Sequence, residues 1–252
     1  VVLSGAFTKL ASQVTGLEKS YRATIRFGVE TDTLDPEGRV VAEAPLPTEE
    51  VVRSRARSFV GLLNQVPPAY SAVHQGGERA YVRARRGEVV APQARAVRVY
   101  ELDIDSVSIP EVTFQVRCSK GTYVRALARD LALACGSRGH LTALQRLSVG
   151  PFHVDEAVEP QDFDPRRDVL SSRQALARIP GLHLVAARGE SEGRILQGAA
   201  LRAADLVSDP GAASTLAVLG SGDRLLAVAD RSDEGYRYRF VVPQDSGPDN
   251  GN

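Results

Sequence analysis

From Ser20 to Val29 apolar and polar residues alternate, with Tyr21, Ala23, Ile25, Phe27 and Val29 on one side and Arg22, Thr24 and Arg26 on the other. A period of two is that of a strand with one face buried. The stretch TDTLDPEG that follows is turn chemistry, because Asp, Pro and Gly each favour a reversal for a separate backbone reason. Thr48 before Glu49 and Glu50 reads as an N-cap, and Val52, Ala56, Phe59, Val60 and Leu63 then share one helical face until VPP ends the run. A second alternation, Val112, Phe114, Val116 and Cys118, runs through the turn SKGT into a helix that buries Val124, Leu127, Ala128, Leu131 and Cys135 and is stopped by Gly136.

Beyond the polar segment EPQDFDPRRD the pattern changes to short strands, LHLVAA, DRLLAVADR and GYRYRFVVP, the last two joined by the turn SDEG. This predicts a small β-rich domain over 181–243, with QDSGPDNGN, 244–252, as a disordered tail. Periodicity alone therefore supports mixed α and β with a small β-rich end.

Composition narrows the picture. With 252 residues, 43% hydrophobic and 25% charged, the chain can bury one large core or one plus a small one. No apolar run approaches the roughly 18 residues of a membrane span, and the basic-then-apolar pattern of a signal peptide is absent, so a cytoplasmic protein without a membrane partner is expected. Cys118 and Cys135 form no C-x-x-C, and His74, His140, His153 and His183 lack ligand spacing. No metal site is expected, and both thiols are expected reduced and buried. There is no methionine, and the chain opens abruptly on VVLSGAF, so position 1 need not be the natural start.

Zero net charge hides an asymmetry. Residues 51–100 carry nine basic and two acidic groups, whereas 151–252 carry eleven and sixteen. In the basic quarter, Arg79, Arg83, Arg85 and Arg86 surround Tyr81, a combination suited to phosphates and flat bases, or simply to a solvated face. The turn at Gly121 presents free backbone N–H groups beside Lys120 and Arg125, a place for an anion. The alternative is a capped helix whose Arg125 and Arg129 pair with acidic neighbours such as Asp130. Only Lys9, Lys19 and Lys120 among the 31 basic residues are lysines.

Four blocks, EKSYRATIRFGVETDTLDPEG, VPPAYSAVHQGGERAYVRARRGE, CSKGTYVRALARDLA and GHLTALQRLSVGPF, together resemble the TruB-type tRNA pseudouridine synthases, in family order from about Phe7 to Phe152. The resemblance implies an α+β pseudouridine synthase fold, a central mixed or antiparallel sheet flanked by helices. It implies a catalytic domain over 1–180 with an RNA-clasping insertion at about 66–96, and a small C-terminal PUA-like domain over 181–243. The implied activity is isomerisation of a T-loop uridine in tRNA without a cofactor, by a monomer.

Residue by residue, the resemblance makes Tyr21 the tyrosine that packs on the flipped uracil and handles a proton, and Tyr123 and Leu144 the lining of the base pocket. Arg125 is implied to pair with the catalytic aspartate, Asp35 to be a second aspartate near the cleft, and Lys120 to bind substrate. Arg79, Arg83, Arg85 and Arg86 are implied to meet the RNA backbone. The family nucleophile lies in a GTLDP-like loop after G-H-x-G, which is expected upstream of Val1. TLDP at Thr33–Pro36 lacks that context and reads as a decoy, leaving Asp35 as the alternative nucleophile. A non-catalytic tRNA-binding or RNA-folding module on the same scaffold is the competing class. A third class, a small-molecule nucleotide enzyme, finds no Walker or G-x-G-x-x-G loop.

Overall fold

The structure, a computed structural model, describes residues 1–70, 74–75, 78–79 and 93–243. Its contacts divide the chain into a unit formed by residues 16–155 and one formed by 1–15 together with the segment from Glu156 onward.

The larger unit is built on a six-stranded sheet of order β10-β9-β1-β8-β7-β4. Its strands are β1 (Lys19–Phe27), β4 (Gly61–Gln65), β7 (Arg95–Ser108), β8 (Glu111–Cys118), β9 (Gly139–Val149) and β10 (Phe152–His153). Every pairing is antiparallel, which resolves the expected mixed or antiparallel sheet in favour of the latter. The short strands β2 (Val29–Thr31) and β3 (Val40–Glu43) form a separate ribbon around the TDTLDPEG turn, and β5 (His74–Gln75) pairs with β6 (Glu78–Arg79).

The alternation read in β1 is the burial pattern. Ala23, Ile25 and Phe27 meet Val112, Phe114 and Val116 of β8 on one face, and helix α3 (Val124–Ala134) lays Val124, Leu127, Ala128 and Leu131 over them. Each such side chain contributes about 1.5–3 kcal/mol on burial. At Gly139 helix and sheet come close together. A Cβ there would lie 2.9 Å from Ala132 Cβ and 3.0 Å from Ile25 Cδ1.

One expected helix is too long. α2 covers Glu49–Arg57, following α1 (Ala11–Gly16), and the residues from Gly61 to Gln65 leave it to pair with β7 as the edge strand β4. Gly61 takes φ +124°, where a side chain would be strained, and this ends any helical continuation. Thr48 sits at the N-cap position in extended conformation, but its side chain makes no cap bond to the helix backbone.

In the smaller unit β11 (His183–Ala186), β12 (Thr215–Leu219), β13 (Leu225–Ser232) and β14 (Gly235–Val241) form a second sheet in that order, β11 parallel to β12 and the rest antiparallel. The β-rich end read from the sequence is this sheet, with the turn Asp233–Glu234 joining β13 to β14. The division by contacts does not follow the expected limit at 180/181. Residues 1–15 cluster with the C-terminal segment because Leu10 is fully buried and Lys9 Nζ donates to Val241 O at 3.1 Å while lying 5.2 Å from the Phe240 ring. The expected tail, 244–252, lies outside the described residues.

Carboxylates of this unit are held below their usual range. Glu192 accepts from the hydroxyl and backbone N–H of Ser221, Asp205 from the Arg202 N–H, and Asp230 from Arg239. A carboxyl whose folded pKa is depressed stabilises the fold fully above its unfolded value, about 4, and loses that contribution as pH falls through the folded value. Burial pushes Asp130 of the larger unit the opposite way, so protonation relieves strain there. Hydrogen exchange at β12 and β13 is therefore expected to accelerate between about pH 4 and 2 relative to α3. Equal acid sensitivity of the two regions would contradict this.

Candidate active site

The turn between β8 and α3 places chemistry at one end of the sheet. Gly121 takes φ +83°, Lys120 beside it is exposed, and Tyr123 is the extended N-cap of α3. Two residues fix this N-cap. The amide oxygen of Gln65, a side chain only 1% exposed, accepts the Tyr123 backbone N–H at 2.8 Å, and the Arg95 guanidinium lies 4.7 Å from the Tyr123 ring while donating to Gly121 O.

Arg125, in the first turn of α3, is clamped by three acceptors. It donates to Asp35 Oδ2 at 2.8 Å, Thr33 O at 3.0 Å and Tyr70 O at 3.0 Å. Asp35 is itself committed: Oδ1 accepts from Thr33 Oγ1 at 2.5 Å and from the Glu37 N–H at 3.3 Å. The loop that carries it is tightly wound. Leu34 takes φ +61°, unusual for a branched side chain, and a Cβ on Gly38 would collide with Thr33 Oγ1. The Leu141 N–H bonds Leu34 O at 3.1 Å and ties this loop to β9.

Sheet register brings in the remaining residues. Tyr21 faces the same side as Ala23 and packs against the core beneath α3, and Arg146, its partner on β9, holds its guanidinium 5.6 Å from the Tyr21 ring. Leu144 is the partner of Ala23 on that face and is 50% exposed. Beside the Asp35 loop a depression of about 240 Å³ is lined by Leu34, Val66, Pro67, Pro68 and Arg129 among others.

Thus Arg125 and Asp35 meet directly, Tyr21 and Leu144 share one face of the sheet, and Tyr123 and Lys120 frame the start of α3. The pairing of Arg129 with Asp130 at 2.7 Å is the one weighed from spacing, but Arg125 goes to Asp35. Arg79 is described only as a backbone position in β6, and Arg83, Arg85 and Arg86 lie outside the described residues. Cys118 is buried as expected, whereas Cys135 is partly exposed; both are free. Burial raises both thiols. Among the described residues no cluster of ligand side chains could hold a metal.

Gln65, Arg95 and Arg146 were not singled out by sequence reasoning. A lone Gln before VPP has no periodic signature, and Arg95 stands isolated between turns and a strand. Arg146 does fall within GHLTALQRLSVGPF, a matched block, and could have been found by asking which basic residue shares the face of Tyr21.

Residues 1–124 match the model of the TruB family pseudouridylate synthase N-terminal domain. The tRNA pseudouridine synthase B of Burkholderia mallei (strain NCTC 10247) is 39% identical over 240 residues, 92% of this chain and 78% of that protein. The chain belongs to the TruB family. The synthase of the same name from Treponema pallidum (strain Nichols) is 46% identical over 181 residues, 62% of this chain, and the match spans half the length of that protein. Among solved structures, an H/ACA RNP bound to a substrate RNA containing 2′-deoxyuridine aligns over 95% of this chain and 70% of its own, with TM-score 0.62 and 15% identity. A Cbf5-Nop10-Gar1 complex aligns over 94% and 71% with TM-score 0.59 and 19% identity. At these identities the likeness is one of fold, and it gives the TruB family chain the pseudouridine synthase architecture expected from its sequence blocks.

The Gln65 contact makes a prediction about the TruB family scaffold. Gln65→Leu removes the acceptor of the part-buried Tyr123 N–H but also the buried Gln65 Nε2, which has no partner, so a net cost of about 0.5–1.5 kcal/mol in urea unfolding is expected. A change below about 0.3 kcal/mol would mean that the N-cap is held by something else.

Proposed function

We propose that the part of the large sheet left uncovered at Tyr21 and Leu144, next to α3, receives a uridine of a tRNA T-arm, and that the protein acts in isomerising that uridine to pseudouridine. The observation that carries this reading is the clamped Arg125 beside Asp35, on the sheet face that also presents Tyr21 and the half-exposed Leu144. A base lifted from its stack needs a flat aromatic or apolar partner and a cationic rim, and this face offers all three. The two relatives described above carry the name tRNA pseudouridine synthase B, which supports the same substrate.

The reaction breaks the N1–C1′ bond, turns the base, joins C5 to C1′, and moves the C5 proton so that N1 ends protonated. No oxidant enters the balance, but a carboxylate must take the displaced centre. Both oxygens of Asp35 are engaged, by Arg125, Thr33 and Glu37, which fits a positioning aspartate better than an attacking one. In this reading the nucleophile is the aspartate expected upstream of Val1, Arg125 serves its charge, Tyr21 handles the proton, Tyr123 and Leu144 line the base, and Lys120 meets the rim. Arg79, Arg83, Arg85 and Arg86 would follow the backbone.

Binding and uridine conversion on an unmodified T-arm stem-loop, measured on the same samples, test the proposal. The 252-residue chain is expected to bind this stem-loop, with affinity falling steeply as salt rises. Conversion by the 252-residue chain alone would require a nucleophilic carboxylate within it, Asp35 before any other, and would overturn the positioning role given to Asp35; absence of binding would remove the tRNA reading. With the upstream loop present, Arg125→Ala is expected to lower turnover at least about 100-fold while changing affinity less than about threefold. Equal losses in both would contradict the role given to Arg125.

A further inference from the structure

Several described arginines of the larger unit have a carboxylate, among them Arg22 with Asp105, Arg117 with Glu18 and Glu101, Arg125 with Asp35, Arg129 with Asp130 and Arg138 with Glu30. Around Tyr21 three cations come together. Lys19 lies two residues before Tyr21 on the same face, opposite Cys118; Lys120 follows two residues after Cys118; and Arg146 is the β9 partner of Tyr21. Among the described residues no carboxylate pairs with Arg146 or Lys120, and both side chains are exposed. Lys19 Nζ donates to Leu17 O at 2.6 Å, which holds this third cation in place beside them. Burial, then the charges of Arg146 and Lys120, keeps the Lys19 ammonium below its ordinary range, as expected where positive groups are crowded together.

We propose that Lys19, Lys120 and Arg146 form a subsite for one backbone phosphate flanking the uridine held at Tyr21. Strand register sets Lys19 and Arg146 around Tyr21 and the turn after Cys118 adds Lys120, and the mutual repulsion of the three cations in the free protein turns into attraction once a phosphate enters. Arg146 already lies against the Tyr21 ring, so a base on the tyrosine and a phosphate on the guanidinium fall within one nucleotide of each other. A guanidinium offers forked donors that suit phosphate oxygens. This subsite rests on the proposed tRNA function and adds to it the phosphodiester group that this side of the cleft selects.

The test uses the full chain, a labelled T-arm stem-loop read by anisotropy, and the same RNA with a neutral methylphosphonate at each phosphate flanking the target uridine in turn. Arg146→Gln and Lys120→Gln replace exposed side chains, and circular dichroism checks that both variants fold. Each variant is expected to weaken binding about tenfold and to lower the salt slope by about one. At one flanking position the methylphosphonate is expected to weaken the wild type about tenfold but Arg146→Gln less than twofold, because both changes remove the same contact. Losses that multiply at both positions, or variants that bind as wild type does, overturn the subsite alone. If the wild-type chain fails to bind the unmodified stem-loop, the tRNA reading falls and the subsite with it.

Discussion

The register of β1 between β8 and β9 is the constraint on which the rest depends. Side chains on a strand alternate faces, so a slip of one residue would carry Ile25 and Phe27 out of the core and turn Tyr21 to the opposite side. The buried partners Val112, Phe114 and Leu141 prevent this, since no other register covers them. The same register that fills the core sets Tyr21 opposite Arg146 and Ala23 opposite Leu144, so packing and site geometry are one specification.

A second constraint joins the helix to the loops around it. The start of α3 is held from three directions: Gln65 at the end of β4 takes the Tyr123 N–H, Arg95 at the start of β7 covers its ring, and the Asp35 loop takes Arg125. The segments concerned are far apart in sequence, which gives the turn between Cys118 and Val124 a fixed shape despite its glycine. The Asp35 backbone carbonyl also accepts from Thr31 Oγ1 at 2.7 Å, so the loop is rigid before any ligand arrives.

Sequence patterning revealed chiefly the parts of this structure that have one buried face, together with β13 as a plain apolar run. β1, β8 and α3 announced themselves through alternation or helical spacing, and β14 through its turn. TLAVL, now β12, was missed: its four residues from Leu216 to Leu219 are essentially inaccessible, so it has no alternation, and only a bare apolar run of the kind that was read in β13 could have shown it. GHLTALQRLSV was matched as a block but not read as β9, because β-bulges shift its period between Leu141 and Ala143 and between Arg146 and Ser148. Within the site, Tyr21, Asp35, Tyr123, Arg125 and Leu144 were legible through the resemblance; Gln65 and Arg95 were not, since what distinguishes them is a long-range contact that no local pattern encodes.

Whether the uncovered part of the large sheet at Tyr21 and Leu144 receives the RNA is decided by amide hydrogen exchange of the chain with and without an unmodified T-arm stem-loop. Slowed exchange is expected in 19–23, 119–126 and 143–147, the segments that carry Tyr21, Lys120, Tyr123, Arg125, Leu144 and Arg146. Protection confined to 183–241, with those segments unchanged, would contradict it and move recognition to the smaller unit.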